Sequence, residues 1–162
     1  MASRGKGGLM SSGNVVDPSA LAWYRRVVGV GIFWNLVFAW NSLYDPPHIH
    51  SFLKLRPLHR TIWLRNVGML LVLVSMFNAG SLLDPMRYPL FSWMVPTARL
   101  IASFFFFRVA IQNPWYSSDR PKSFLLLAVF DGTFGLVCAF LLNRNAPLRE
   151  TLRSTFGNRE LA

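Results

Sequence analysis

The chain has 162 residues, 52% of them apolar and only 15% charged, with a formal net charge of +10. Charged residues make up about 25% of an ordinary soluble domain, so the deficit argues against a water-soluble globule, and the length leaves room for one domain. The single cysteine, Cys138, leaves no disulfide framework or thiolate zinc site to consider.

Residues 1–16 are small, polar and basic and are expected to be disordered. Asp17-Pro18 then suits the cap of a short interfacial helix. Four apolar blocks follow, 27–44, 67–83, 94–112 and 124–142, free of charge apart from Arg99, Arg108 and Asp131. Each has 17 to 19 residues, and flanking Trp23, Ile62 and Trp93 extend them. That length matches the ~20 residues needed to cross ~30 Å of hydrocarbon. A soluble fold that buried four such helices would keep too little polar surface to cover them. The polar leader runs to Ser19, and Trp40 stands where a cleavage site would need a small residue, so the first span is expected to be retained. The sequence therefore predicts an all-α integral membrane four-helix bundle over 17–143, with neighbouring spans antiparallel. In the remaining tail, 144–162, Leu148, Leu152 and Phe156 recur every fourth residue beside Arg149 and Arg153. This predicts a basic amphipathic segment on the membrane surface.

Four spans put both termini on one side. That side carries ten basic residues: Arg4, Lys6, Arg25, Arg26, Arg87, Arg99, Arg144, Arg149, Arg153 and Arg159. The other carries seven, Lys54, Arg56, Arg60, Arg65, Arg108, Arg120 and Lys122. Positive residues favour the cytoplasm, so both termini are expected there, in a bacterial inner membrane. The excess charge suits anionic headgroups and not nucleic acid.

The chain also repeats. Residues 22–60 shifted by 39 onto 61–99 give eleven identities, among them Arg26 on Arg65, Gly29 on Gly68, Leu43 on Leu82, Asp45-Pro46 on Asp84-Pro85, Pro57 on Pro96 and Arg60 on Arg99. Each copy reads as an arginine at a helix entrance, an apolar span and an Asp-Pro stop, because proline ends the hydrogen-bond ladder and aspartate bonds nearby amides. One span per copy makes this an inverted repeat.

Asp131 is the only acid within a block. A charge at mid-helix costs at least ~2.5–3.5 kcal/mol unless it is paired or wetted, so Asp131 is expected to face the bundle interior. It lies beside a small-residue face, Ala128, Gly132, Gly135 and Ala139. Counting from the loop shared by the third and fourth spans sets Arg108 and Asp131 at similar depth and predicts an ion pair between them, read first as a clamp fixing helix register. Asn35, Asn41 and Asn78, with Arg99, are candidates for an intramembrane polar pocket able to bond across helices or hold a quinone. His48, His50 and His59 in the first loop are weak metal candidates, lacking a cysteine or methionine partner. No histidine lies within a span to ligate haem, and no G-x-S-x-G, H-E-x-x-H or phosphate-binding glycine loop occurs.

Residues 63–107 carry an Arg65/Gly68 entrance, an apolar span, Leu83-Asp84-Pro85, and Ala98-Arg99-Leu100-Ile101 opening the next span. This pattern resembles the DoxX-like group of small four-helix membrane proteins. The resemblance implies a four-span architecture and association with redox enzymes, including quinone-linked ones, and carries over no catalytic residue. The reading is a non-catalytic membrane subunit or anchor that docks a partner protein or forms a homo-oligomer. The alternative is a small transporter or quinone-binding subunit using Asp131 and Arg108.

Overall fold

A computed structural model describes residues 16–52, 62–112 and 122–157. The basic tail before Val16, residues 53–61 with His59, and residues 113–121 lie outside them. The described residues form six helices: α1 (Pro18–Tyr44), α2 (Pro46–Phe52), α3 (Ile62–Leu83), α4 (Pro89–Gln112), α5 (Lys122–Asn143) and α6 (Ala146–Gly157).

Asp-Pro marks helix boundaries throughout. Asp17 Oδ1 accepts from the Ser19 and Ala20 amides at 3.1 Å each, with Pro18 in the first turn where its missing N–H costs nothing. No breaker follows it, and Ala20, Leu21 and Ala22 favour helix, so α1 runs unbroken from Pro18 instead of beginning as a separate interfacial helix. Asp45 ends α1, its amide bonded to Asn41 O, and Pro46 starts the seven-residue α2 where a loop was expected. Asp84 Oδ1 accepts from the Met86 and Arg87 amides and turns the chain from α3 into α4.

α1, α3, α4 and α5 have the length and apolarity of membrane spans. Large apolar side chains stand exposed on each of them: Trp40 at 64%, Met76 at 69%, Phe104 at 67% and Phe140 at 62%. Apolar surface of this extent is not sustainable in water and is ordinary in lipid. The protein is a multi-pass helical membrane protein, all-α over its described residues.

The closest helix pairs are α1 with α3 and α4 with α5, joined by looser α1–α5 and α3–α4 contacts. Glycines permit the approach. A Cβ on Gly68 would lie 2.9 Å from Leu43 Cγ and 3.1 Å from Ala39 O; one on Gly135 would lie 2.9 Å from Leu100 Cγ and 3.1 Å from Pro96 O. Leu21, Tyr24, Val95, Cys138, Leu142 and Leu148 form the core, set toward the end where α1 and α4 begin and α5 finishes. Leu148 was expected on the membrane surface. It is instead fully buried, and its carbonyl accepts from Trp93 Nε1 at 2.9 Å, so the first turn of α6 seals the bundle end. The side chains of Leu152 and Phe156 lie outside the described set.

Candidate functional site

The polar centre of the bundle is built from three helices. Asn35 stands nine residues before the end of α1, Arg99 ten after the start of α4 and Asp131 nine after the start of α5. At ~1.5 Å per residue each is ~13–15 Å from its helix end, near the midplane of a ~30 Å hydrocarbon core. Arg99 Nη1 donates to Asp131 Oδ1 at 2.6 Å, and Nη2 donates to Asn35 Oδ1 at 2.8 Å and to Gly31 O at 3.4 Å. The side chains are 15% and 9% exposed for Arg99 and Asp131, so the pair is largely shielded by protein. The Phe134 ring lies under the guanidinium, its centroid 5.0 Å from Cζ. This Phe134 placement requires Gly31, where a Cβ would run into the ring.

The structure corrects the expected Arg108–Asp131 pair. Arg108 is exposed and lies nine residues beyond Arg99 on α4, ~13.5 Å further along the axis. The reason is register. Arg108 is four residues from the end of α4, whereas Asp131 is nine from the start of α5, a mismatch of ~7.5 Å in depth. Gly132, whose Cβ would meet Ser103 Oγ, and the 2.6 Å bond from Ser103 Oγ to Ala128 O fix that register. Of the four pocket candidates, Asn35 and Arg99 come together. Asn41 bonds its own helix at Val37 O, and Asn78 is half-buried on α3, with no bond to either of them. His48 is exposed on α2, and the His50 side chain lies outside the described set, as does His59. Among the described residues no three His, Cys, Asp or Glu side chains are grouped to hold a metal ion.

A second knot was not foreseen. Pro96 sits inside α4 and has no N–H to offer the carbonyl four residues back, at Ser92. Tyr24, fully buried, supplies that bond: its hydroxyl donates to Ser92 O at 3.0 Å and lies 2.9 Å from Ser81 Oγ. One tyrosine thus ties α1, α3 and α4. Its sequence signal is a proline within a span, which demands a donor at the same depth.

Two features flank the centre. At the bundle end the Asp17 amide donates to Asn145 Oδ1 at 2.9 Å, and Arg144 Nε lies 3.4 Å from Asp17 Oδ2. Hydrogen bonds from the Ser19 hydroxyl and the Ala20 amide, with Arg144 nearby, hold the Asp17 carboxyl below its ordinary value. Between α1 and α5 an open apolar groove of about 420 Å³ runs from Val27 along the α5 face of Phe130, Thr133 and Val137.

No family model, curated protein or solved structure matches this chain.

Proposed function

We propose that the protein is a non-catalytic integral membrane subunit or anchor that docks a partner protein, of the redox or respiratory kind that the DoxX-like pattern of 63–107 suggests. The observation carrying this reading is the saturation of the polar centre. Arg99 divides its guanidinium among Asp131, Asn35 and Gly31 O, and among the described residues every buried side-chain nitrogen and oxygen has a partner. A proton or substrate relay needs groups free to exchange partners, whereas a clamp needs them occupied. The clamp joins α1, α4 and α5 into a rigid scaffold for docking.

In this reading both termini are cytoplasmic in a bacterial inner membrane with anionic headgroups, and neighbouring spans are antiparallel. The 39-residue repeat is supported by reciprocal contacts. Gly29 faces Leu82 Cδ1 and Gly68 faces Leu43 Cγ, and 29 aligns with 68 as 43 does with 82. Contacts that exchange in this way are those of a two-fold pair.

Purification of the tagged chain from its native membrane in mild detergent tests the role. A stoichiometric heteromeric complex is expected; a lone chain or homodimer retaining quinone would overturn it. That second outcome belongs to the transporter or quinone-subunit alternative, centred on Asp131 with Arg99, the arginine the structure places beside it, in the role expected of Arg108. The groove favours it, because Phe134 lines the groove and also carries Arg99.

A further inference from the structure

The outward face of α5 carries a regular seam. Leu126, Phe130, Thr133, Val137 and Phe140 are all exposed and follow one another at intervals of four, three, four and three residues, the spacing of a coiled-coil stripe. The stripe bears no charge, because Asp131 on the same helix turns inward to Arg99. Thr133 lies at its centre, eleven residues from the start of α5 and ten from its end, at the level of the bilayer midplane. The groove of about 420 Å³ opens around it. Ser75, Ser92 and Thr97 each turn the hydroxyl onto the carbonyl four residues earlier, at 2.8, 3.0 and 2.9 Å. The Thr133 hydroxyl makes no hydrogen bond to any described residue. An acyl chain offers it no acceptor, and an unpaired polar group in hydrocarbon is costly.

We infer that two copies of the chain pair on this face, α5 against α5 about a two-fold axis along the membrane normal, with the two Thr133 hydroxyls bonded to each other. Copies inserted in the same orientation present α5 in parallel, and on a two-fold axis each residue of the seam meets its own counterpart. A hydroxyl both donates and accepts, so Thr133 is its own complement, whereas a charge or a donor-only group would call for a different partner. The stripe holds neither. Threonine is also small enough to let two helices approach closely at the centre of the contact. The seam is stiff from behind: Phe134 is wedged between Gly31 and the Arg99 guanidinium, and Arg99 holds Asp131, so pairing orders little that is not already fixed. This pairing does not rest on the docking role, since a heteromeric complex can be built on two copies of the chain.

Disulfide trapping of the full chain in its native membrane, with copper phenanthroline as oxidant and Cys138→Ala as background, tests it. Thr133→Cys and Val137→Cys should each give a covalent product of twice the chain mass, and Phe104→Cys, on the exposed face of α4, should give none. In liposomes, single-molecule photobleaching should find the dimer dissociation constant of Thr133→Val raised about threefold, the factor matching ~0.6 kcal/mol per intramembrane hydrogen bond, and that of Thr133→Ser close to wild type. Thr133 is exposed, so these variants should keep the wild-type helical signal. Equal trapping at Thr133 and Phe104, trapping at neither, or a Thr133 product of any other mass would overturn the pairing. A Thr133→Val dimer as tight as wild type would overturn the hydroxyl bond at its centre. A chain trapped at Thr133 but purified without a heteromeric partner would sink the docking role alone, and a heteromeric complex without trapping would sink this pairing alone.

Discussion

Asp131→Asn would leave the Arg99 charge at the bilayer midplane without its counter-ion. Removing one member of a buried pair costs ~3–5 kcal/mol, because the survivor stays desolvated. Here Arg99 keeps Asn35 Oδ1 at 2.8 Å and Gly31 O at 3.4 Å, which places the loss at the lower end, ~3 kcal/mol. That is more than a hundredfold in the folded-to-unfolded ratio, at ~1.4 kcal/mol per tenfold. Arg99→Met should cost a similar amount by stranding the carboxylate. The double variant Arg99→Met/Asp131→Asn should recover at least ~1 kcal/mol relative to the sum of the singles, since neither charge remains to be orphaned. Arg108→Met supplies the contrast: its side chain is exposed, and the change should cost under ~1 kcal/mol. Unfolding in mixed micelles, followed by circular dichroism against increasing dodecyl sulfate, measures all four. A cost for Arg108→Met equal to that for Arg99→Met would refute the reasoning, as would additive single and double losses.

Other consequences are open to test by comparable means. Tyr24→Phe should destabilise the bundle by ~1–3 kcal/mol, because Ser92 O then has neither a helical donor nor the hydroxyl. Pro96→Ala in the same chain should restore part of that loss by returning the helical N–H, and a failure to rescue would count against the pairing. Gly31→Ala should cost ~1–3 kcal/mol by driving a methyl into the Phe134 ring, and Phe134→Leu should relieve it. The folded Asp17 carboxyl titrates below its ordinary value of 3.8, so its contribution is present in full above that pH and is lost as pH falls through the folded value. Asp17→Asn should therefore flatten the acid limb of the thermal stability curve, and a curve unchanged in shape would contradict the cap and its Arg144 neighbour. A cysteine at Ser51, on exposed α2, should react with an impermeant maleimide added outside intact cells; labelling from the cytoplasmic face alone would reverse the orientation.

Much of the architecture was legible because the bilayer imposes it. Lipid tolerates only helices of a certain length, and the four blocks meet that length with flanking aromatics and Asp-Pro stops where helices end. The small-residue face on α5 was legible for the same reason, as close approach leaves few residue types available; Gly132 and Gly135 do meet α4 at Ser103 and Leu100. What one-dimensional reading could not supply was axial register. Counting from the 113–121 connection treats its two ends as equally deep, and the five residues, about one and a half turns, by which Arg108 and Asp131 differ in depth are enough to choose the wrong arginine.

Register was nonetheless encoded, in signals of a different kind. Asp131 needed a cation at the level where α5 is narrowest, and the narrow face is bracketed by Ala128 and Gly135. The α4 residues opposite that stretch are Pro96, Leu100 and Ser103, which leaves Arg99, among the described residues of α4, as the charge within reach. Polarity alone groups Arg99 with Asn35 in the sequence, and that grouping contains the partner of Asp131. Pro96 bears on the same point. By surrendering the N–H that Ser92 O would have accepted, it obliges α1 to bring Tyr24 to that depth, and the next turns of α1 then deliver Gly31 and Asn35 to Arg99. The proline and the arginine are three residues apart on α4, so the two polar knots are not independent devices. The first sets how α1 lies against α4, and the second depends on it. Pro96→Leu should therefore weaken the Arg99–Asn35 contact as well as the Tyr24 bond. The double-mutant coupling between Arg99 and Asn35 should fall in that background, and an unchanged coupling would separate the two knots.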